Sequence, residues 1–308
     1  MPNTRYRLTP LDPHAHVFEV RCTVDDPDAD GQRFRLPSWI PGSYLIREFA
    51  RQFIDVRAEC DAEAVALQKE AKDVWRATPV TGPLTVIANV YAFDLSVRTA
   101  YLDARRAYCN GPCLFLCPEG HEGAACSLEI VAPRGEEYAR WRVATTLEAD
   151  GALPYGFGRY RAESYDALID HPIEMSDFAL AAFSAGGARH EVALTGSVDS
   201  DLERLASDLS RLCQWQIDLF GGSPQSKAPF ERYLFQVTAV GDGYGGLEHR
   251  SSTSLLCRRD ELPAPGHHGI SDDYLHFLGL ASHEYFHAWN VKRIKPAAFT
   301  PYDLARET

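Results

Sequence analysis

No run of residues in this 308-residue chain approaches the roughly 20 consecutive apolar positions of a membrane helix, so a helical span is not expected. Basic residues are scarce relative to acidic ones: 31 Lys and Arg stand against 43 Asp and Glu, a formal net charge of −12. A surface of that sign repels polyphosphate, which argues against nucleic acid as a partner. The opening segment, "MPNTRYRLTPLD", has neither an apolar core nor a small-residue cleavage site. It therefore does not read as a secretory signal, and a cytoplasmic address follows by default. In that compartment the eight cysteines are expected to be reduced thiols. Cys109, Cys113 and Cys117 recur four apart, but "YCNGPCLFLC" reads as strand and turn rather than as a metal knuckle. Internal repeats and low-complexity tracts are also missing.

What is present is a length suited to two domains and a hydrophobic content of 45%, enough for a real core. Up to about residue 180 the signals are those of strands. In "HVFEVRCTV", Phe18, Val20, Cys22 and Val24 alternate with polar neighbours, the period of two that buries one face of a sheet. "LTVIANVYAF" and "CSLEIVAP" repeat the theme, and "SWIPGSYLIREFAR" reads as a loop entering a short helix. An antiparallel, β-rich domain over residues 1–180 is expected. The period then changes: Leu202, Leu205, Ala206, Leu209, Leu212, Cys213, Ile217 and Phe220 fall three and four apart. Ser200 and Glu203 have the form of a capping box, and Gly221 with Gly222 closes the helix. A strand in "RYLFQVTAV", a glycine-rich "GDGYGGLEHR", a strand in "STSLL" and a second long helix from about Asp272 to Val291 complete an α+β pattern.

The second helix carries "SHEYFHAWN". His283 and His287 are one turn apart and project from one face, a spacing that lets two imidazoles chelate one zinc ion. Glu284 is rotated by about 100° from His283, too far aside to be a natural ligand but within reach of a water at the metal, the position of a general base. The competing reading is a partly buried histidine pair with no ion. In "GYGGLEH", Gly245 and Gly246 allow close approach of a backbone, and Glu248 follows on a strand. Alone, that stretch reads as a glycine bulge with a surface carboxylate. Beside a zinc helix, Glu248 is placed to hold the ammonium of a peptide's first residue, which would make an exopeptidase.

"HEYFHAWNVKRIKP" with "GGLEH" resembles the glycyl aminopeptidase-like zinc metallopeptidases, relatives of aminopeptidase N. "LPSWIPGSYLIREFAR" and "YDALIDHPIEMSDF" resemble the same family, so the likeness covers most of the chain. The resemblance implies a β-rich N-terminal domain followed, over residues 181–308, by the front part of a thermolysin-like catalytic domain. It implies His283 and His287 as zinc ligands, Glu284 as base, and Gly245, Gly246 and Glu248 as the segment that recognises a substrate amino terminus. His249 stands where the aminopeptidase N pattern has asparagine. The third ligand of such enzymes is a glutamate on a following helix, within a pattern absent here. Glu307, with nineteen residues between it and His287, lacks a following helix, so the ligand is expected beyond Thr308 and the chain reads as truncated. The expected function is a zinc aminopeptidase acting on peptides with free amino ends, with small first residues such as glycine preferred by resemblance alone. A zinc endopeptidase and an inactive peptide-binding fragment are the alternatives, and the oligomeric state is not legible.

Overall fold

The computed structural model describes residues 4–43, 45–300 and 302–306. These form two compact units, residues 4–176 with 302–306, and residues 177–300. The first is built on an eight-stranded sheet whose central strands are Thr4–Asp12, Val17–Val24, Leu84–Tyr91 and Phe53–Cys60. The alternation in Val17–Val24 is realised residue by residue, with Phe18, Val20, Cys22 and Val24 buried and the positions between them half-buried. Two four-stranded sheets accompany it.

The sheet is not wholly antiparallel as the strand pattern suggests. Thr4–Asp12 pairs in parallel with Cys126–Ile130, from Thr4 opposite Cys126 to Leu8 opposite Ile130. Side-chain alternation is the same for either strand direction, so the pattern carries no information on this point. All eight cysteines are free thiols, seven of them buried. Burial pushes Cys109, Cys113 and Cys117 well above the ordinary thiol range, so they pack as small apolar groups.

The family-like segments of this unit have structural work. Ser164 caps the short helix Tyr165–Ile169 by accepting from the Ala167 amide, and Tyr165 donates to the Phe115 carbonyl at 2.7 Å. Glu174 accepts two bonds from buried Arg106, at 3.2 and 2.6 Å. Residues 302–306 also belong here, whereas the sequence suggests a second domain running to 308. The Ser38 amide donates to the Leu304 carbonyl at 2.7 Å, and the Trp39 indole donates to the Asp303 carbonyl at 3.0 Å.

The second unit is one mixed sheet packed with two helices. Its strand order is Ala179–Ala185, Ala188–Thr195, Arg232–Val240, Ser252–Arg258 and, at the edge, Gly245–Glu248. The three central strands are parallel and nearly continuous in apolar residues, as strands covered on both faces must be. The helix Leu202–Gly221 buries Leu205, Leu209, Cys213 and Ile217 against this sheet. Its cap differs from the expected Ser200. Asp201 accepts from the Arg204 amide at 3.0 Å, while Ser200 donates its hydroxyl to the Pro263 carbonyl. A carboxylate caps as well as a hydroxyl does and adds charge at the positive end of the helix dipole. At the other end Gly222 takes the left-handed conformation, φ +75°, and closes the helix. Among the described residues no helix is long and apolar enough to cross a membrane.

Candidate active site

The helix that carries the two histidines spans Asp272–Phe286. Ser271 caps it by accepting from the Tyr274 amide at 3.1 Å, and Asp272 and Asp273 lie in its first turn, where negative charge is favoured. Tyr274, Phe277, Ala281, Tyr285 and Ala288 form the inward row, packed on Tyr233, Phe235 and the first helix. That row fixes the helix's rotation and so decides where the residues between its members point.

The helix is shorter than the expected run to Val291. From Phe286 the bonds tighten to three-residue spacing, Ala288 to Tyr285 and Trp289 to Phe286, leaving His287 as the C-terminal cap. Its Nδ1 lies 2.7 Å from the Asn290 carbonyl oxygen. That oxygen can only accept, so Nδ1 carries the proton and Nε2 presents a lone pair. The Nε2 atoms of His283 and His287 face each other at 3.0 Å. Two nitrogens sharing one tetrahedral ion at ~2.0–2.1 Å stand about 3.3 Å apart, so this geometry suits a common ion with a small adjustment. His283 is exposed, His287 half-buried and Glu284 buried.

The edge strand Gly245–Glu248 pairs antiparallel with Ser252–Arg258 without a bulge, from Gly245 opposite Leu256 to Glu248 opposite Thr253. Glu248 is not a surface carboxylate: it is 4% exposed. Glu248, Glu284 and His287 each bring a potential ligand atom within 4.8 Å of the others. Gly246 has a role that glycine content alone does not reveal. A Cβ built on it would lie 2.1 Å from Oε1, 2.4 Å from Cδ and 2.5 Å from Cγ of Glu284. The bare Cα is the seat of the Glu284 side chain. Strand and helix thus run side by side in the same direction, Gly246 against Glu284 and Glu248 beside His287. Gly245 opens the strand ahead of them, and His249 is buried in the turn that follows. Glu307, the alternative third ligand, lies outside the described residues.

Sequence reasoning missed two groups. The first is His190, fully buried beneath the motif helix, whose Nε2 accepts from the Tyr285 hydroxyl at 2.8 Å while Nδ1 faces the Ala188 carbonyl at 3.2 Å. It ties the residue next to Glu284 to the sheet. A single histidine in a strand pattern gives no sign of this. Burial lowers its pKa from 6.5 to about 4. Its neutral form therefore contributes stability that is complete above pH 6.5 and is lost as pH falls through about 4, because the unfolded chain takes up the proton first. The loss is on the order of 3 kcal/mol. Denaturant titrations between pH 7 and 4 should show this fall, and His190→Gln should flatten it by about that amount. An equal pH slope in the variant would remove His190 from the account.

The second group is Tyr244, His276 and Glu261. Tyr244 stacks on His276 with ring centroids 4.5 Å apart and planes at 15°, and His276 Nδ1 lies 2.9 Å from Glu261 Oε1. Partial burial and the negative charges of Glu261 and Glu284 push the Tyr244 phenol above its ordinary value.

A crystal structure of a variant of the M1 zinc metallopeptidase from Deinococcus radiodurans shares the fold, with TM-score 0.54 at 13% identity over 95% of this chain and 64% of that one. A crystal structure of an aminopeptidase N family protein from Idiomarina loihiensis is much nearer, with TM-score 0.94 and 41% identity over 99% of this chain and 50% of that one. The chain thus spans about half the length of that relative. No curated protein matches it. Residues 5–177 match the Peptidase M61 N-terminal domain and residues 276–308 match M61 glycyl aminopeptidase. The chain belongs to the M61 peptidase family.

Proposed function

We propose that the protein is a zinc-dependent aminopeptidase that removes the first residue of peptides with a free amino end, with glycine and other small first residues preferred. The observation that carries this reading is the register of strand against helix, with Glu284 seated on Gly246 and Glu248 beside His287. Zinc held by His283 and His287 would supply Lewis acidity and lower the pKa of water. The His287 Nδ1–H bond to Asn290 fixes the tautomer and ring orientation that a ligand needs. Glu284 accepts the proton of the attacking water and passes it to the leaving amine. The edge strand offers a line along which an extended peptide can lie. Glu248 holds the substrate ammonium, and Gly245 with Gly246 keeps the strand surface low beneath the peptide backbone. The partners are peptides, not nucleic acid or membrane, and a cytoplasmic site is in keeping with eight free thiols.

Parallel assays on free and N-acetylated peptides test this reading in a full-length enzyme carrying the chain. Free peptides should be cleaved and acetylated ones left intact. A charge-assisted bond from Glu248 is worth roughly 1.5–3 kcal/mol, so Glu248→Ala should lower kcat/KM on free peptides about ten- to a hundredfold. Equal cleavage of both peptide classes by the unmodified enzyme would eliminate the ammonium role and favour an endopeptidase. Peptide binding without metal or turnover would favour a binding module.

A further inference from the structure

We infer that Tyr244 is the wall of a side-chain subsite on the leaving-group side of the scissile bond, one that takes a planar or apolar side chain. Three observations converge on it. Tyr244 is 55% exposed, although it directly precedes a strand whose next residues are half-buried or buried. Its ring is nevertheless held in place, lying flat on the His276 imidazole at 4.5 Å. That imidazole is pinned at 2.9 Å by Glu261, a carboxylate only 2% exposed, whose other oxygen accepts from the Arg258 amide at 2.8 Å. An aromatic ring fixed from one side and open to solvent on the rest is preorganised for stacking, since little freedom remains to be lost on contact.

The position follows from the register. Along the chain, Tyr244 meets His276, Gly246 meets Glu284, and Glu248 lies with His287, so the three residues mark successive points beside one helix. Consecutive alternate residues of an extended strand are roughly 6.6 Å apart. A peptide with its ammonium at Glu248 and its first carbonyl opposite Glu284 continues past Gly246 toward Tyr244. Its second residue is the one that reaches the ring. This direction rests on the aminopeptidase reading above.

The test compares glycyl-phenylalanine amide with glycyl-glycine amide in the full-length enzyme. Tyr244→Ala should lower the ratio of their kcat/KM values about three- to tenfold, the range of an aromatic pair, while Tyr244→Phe keeps it. The ratio for phenylalanyl-glycine amide against glycyl-glycine amide, which varies the first residue, should not move. An unchanged second-residue ratio in Tyr244→Ala, or a shift confined to the first-residue ratio, would overturn the inference while leaving the aminopeptidase reading intact. If the enzyme cleaves none of these peptides, that reading fails, and calorimetric binding of the same amides decides separately. A preference for glycyl-phenylalanine amide that Tyr244→Ala removes would sustain the subsite, and its absence would overturn it.

Discussion

Glu284→Gln is expected to abolish peptide hydrolysis, lowering kcat by about a thousandfold or more, without loss of metal. General bases contribute typically 10²–10⁴-fold, and an amide of the same shape has no lone pair basic enough to take the proton of water. Metal retention follows because neither facing Nε2 atom is altered and the His287 ring keeps its bond to the Asn290 carbonyl. Stability should be close to unchanged, since glutamine fills the same seat above Gly246. His283→Ala makes the useful contrast, because it removes one imidazole of the chelate and should lose the metal along with the activity. Turnover and metal content measured on both variants separate the two roles. Substantial turnover in Glu284→Gln would show that the base lies elsewhere.

How much of this was legible in the sequence depends on the range over which each signal acts. The β-rich first half could be read because Phe18, Val20, Cys22 and Val24 report their own burial through alternation. The helix Leu202–Gly221 could be read from its three-and-four spacing, and its end from Gly222, since both are local. The cap at Asp201 was misplaced by one residue because Ser200 offers a similar oxygen, which the Pro263 carbonyl claims instead. The parallel pairing of Thr4–Asp12 with Cys126–Ile130 joins segments more than a hundred residues apart and leaves no trace in either. At the site, the four-residue spacing of His283 and His287 is local, and the fold brings their Nε2 atoms to 3.0 Å. The stacking of Tyr244 on His276 and the anchoring of that ring by Glu261 bring together three segments that only the fold makes neighbours. The early stop of the motif helix at Phe286 depends on a side-chain bond, His287 to Asn290, that periodicity cannot register.

Gly246→Ala is the second variant expected to have a large effect, and it separates space from conformation. Gly246 lies in a regular strand with no left-handed φ, so alanine's backbone preferences are satisfied there. The obstacle is the methyl group alone, which would overlap Cγ, Cδ and Oε1 of Glu284 at 2.5, 2.4 and 2.1 Å. Something must move, and the end of a glutamate side chain moves more cheaply than paired strand backbone. The carboxylate should therefore be displaced while the fold survives, with the melting temperature falling by only a few degrees, as for about 1 kcal/mol. A misplacement on the order of 1 Å at a reacting group costs about 10²-fold, so kcat should fall by about that much or more, with zinc content preserved. The double variant Gly246→Ala with Glu284→Gln decides whether the glycine acts through the glutamate. If it does, adding Gly246→Ala to an enzyme already lacking its base should cost little further, because residues acting as one unit are strongly non-additive. If the two losses multiply instead, Gly246 serves the substrate directly, and its closeness to Glu284 is a packing contact without consequence for the chemistry.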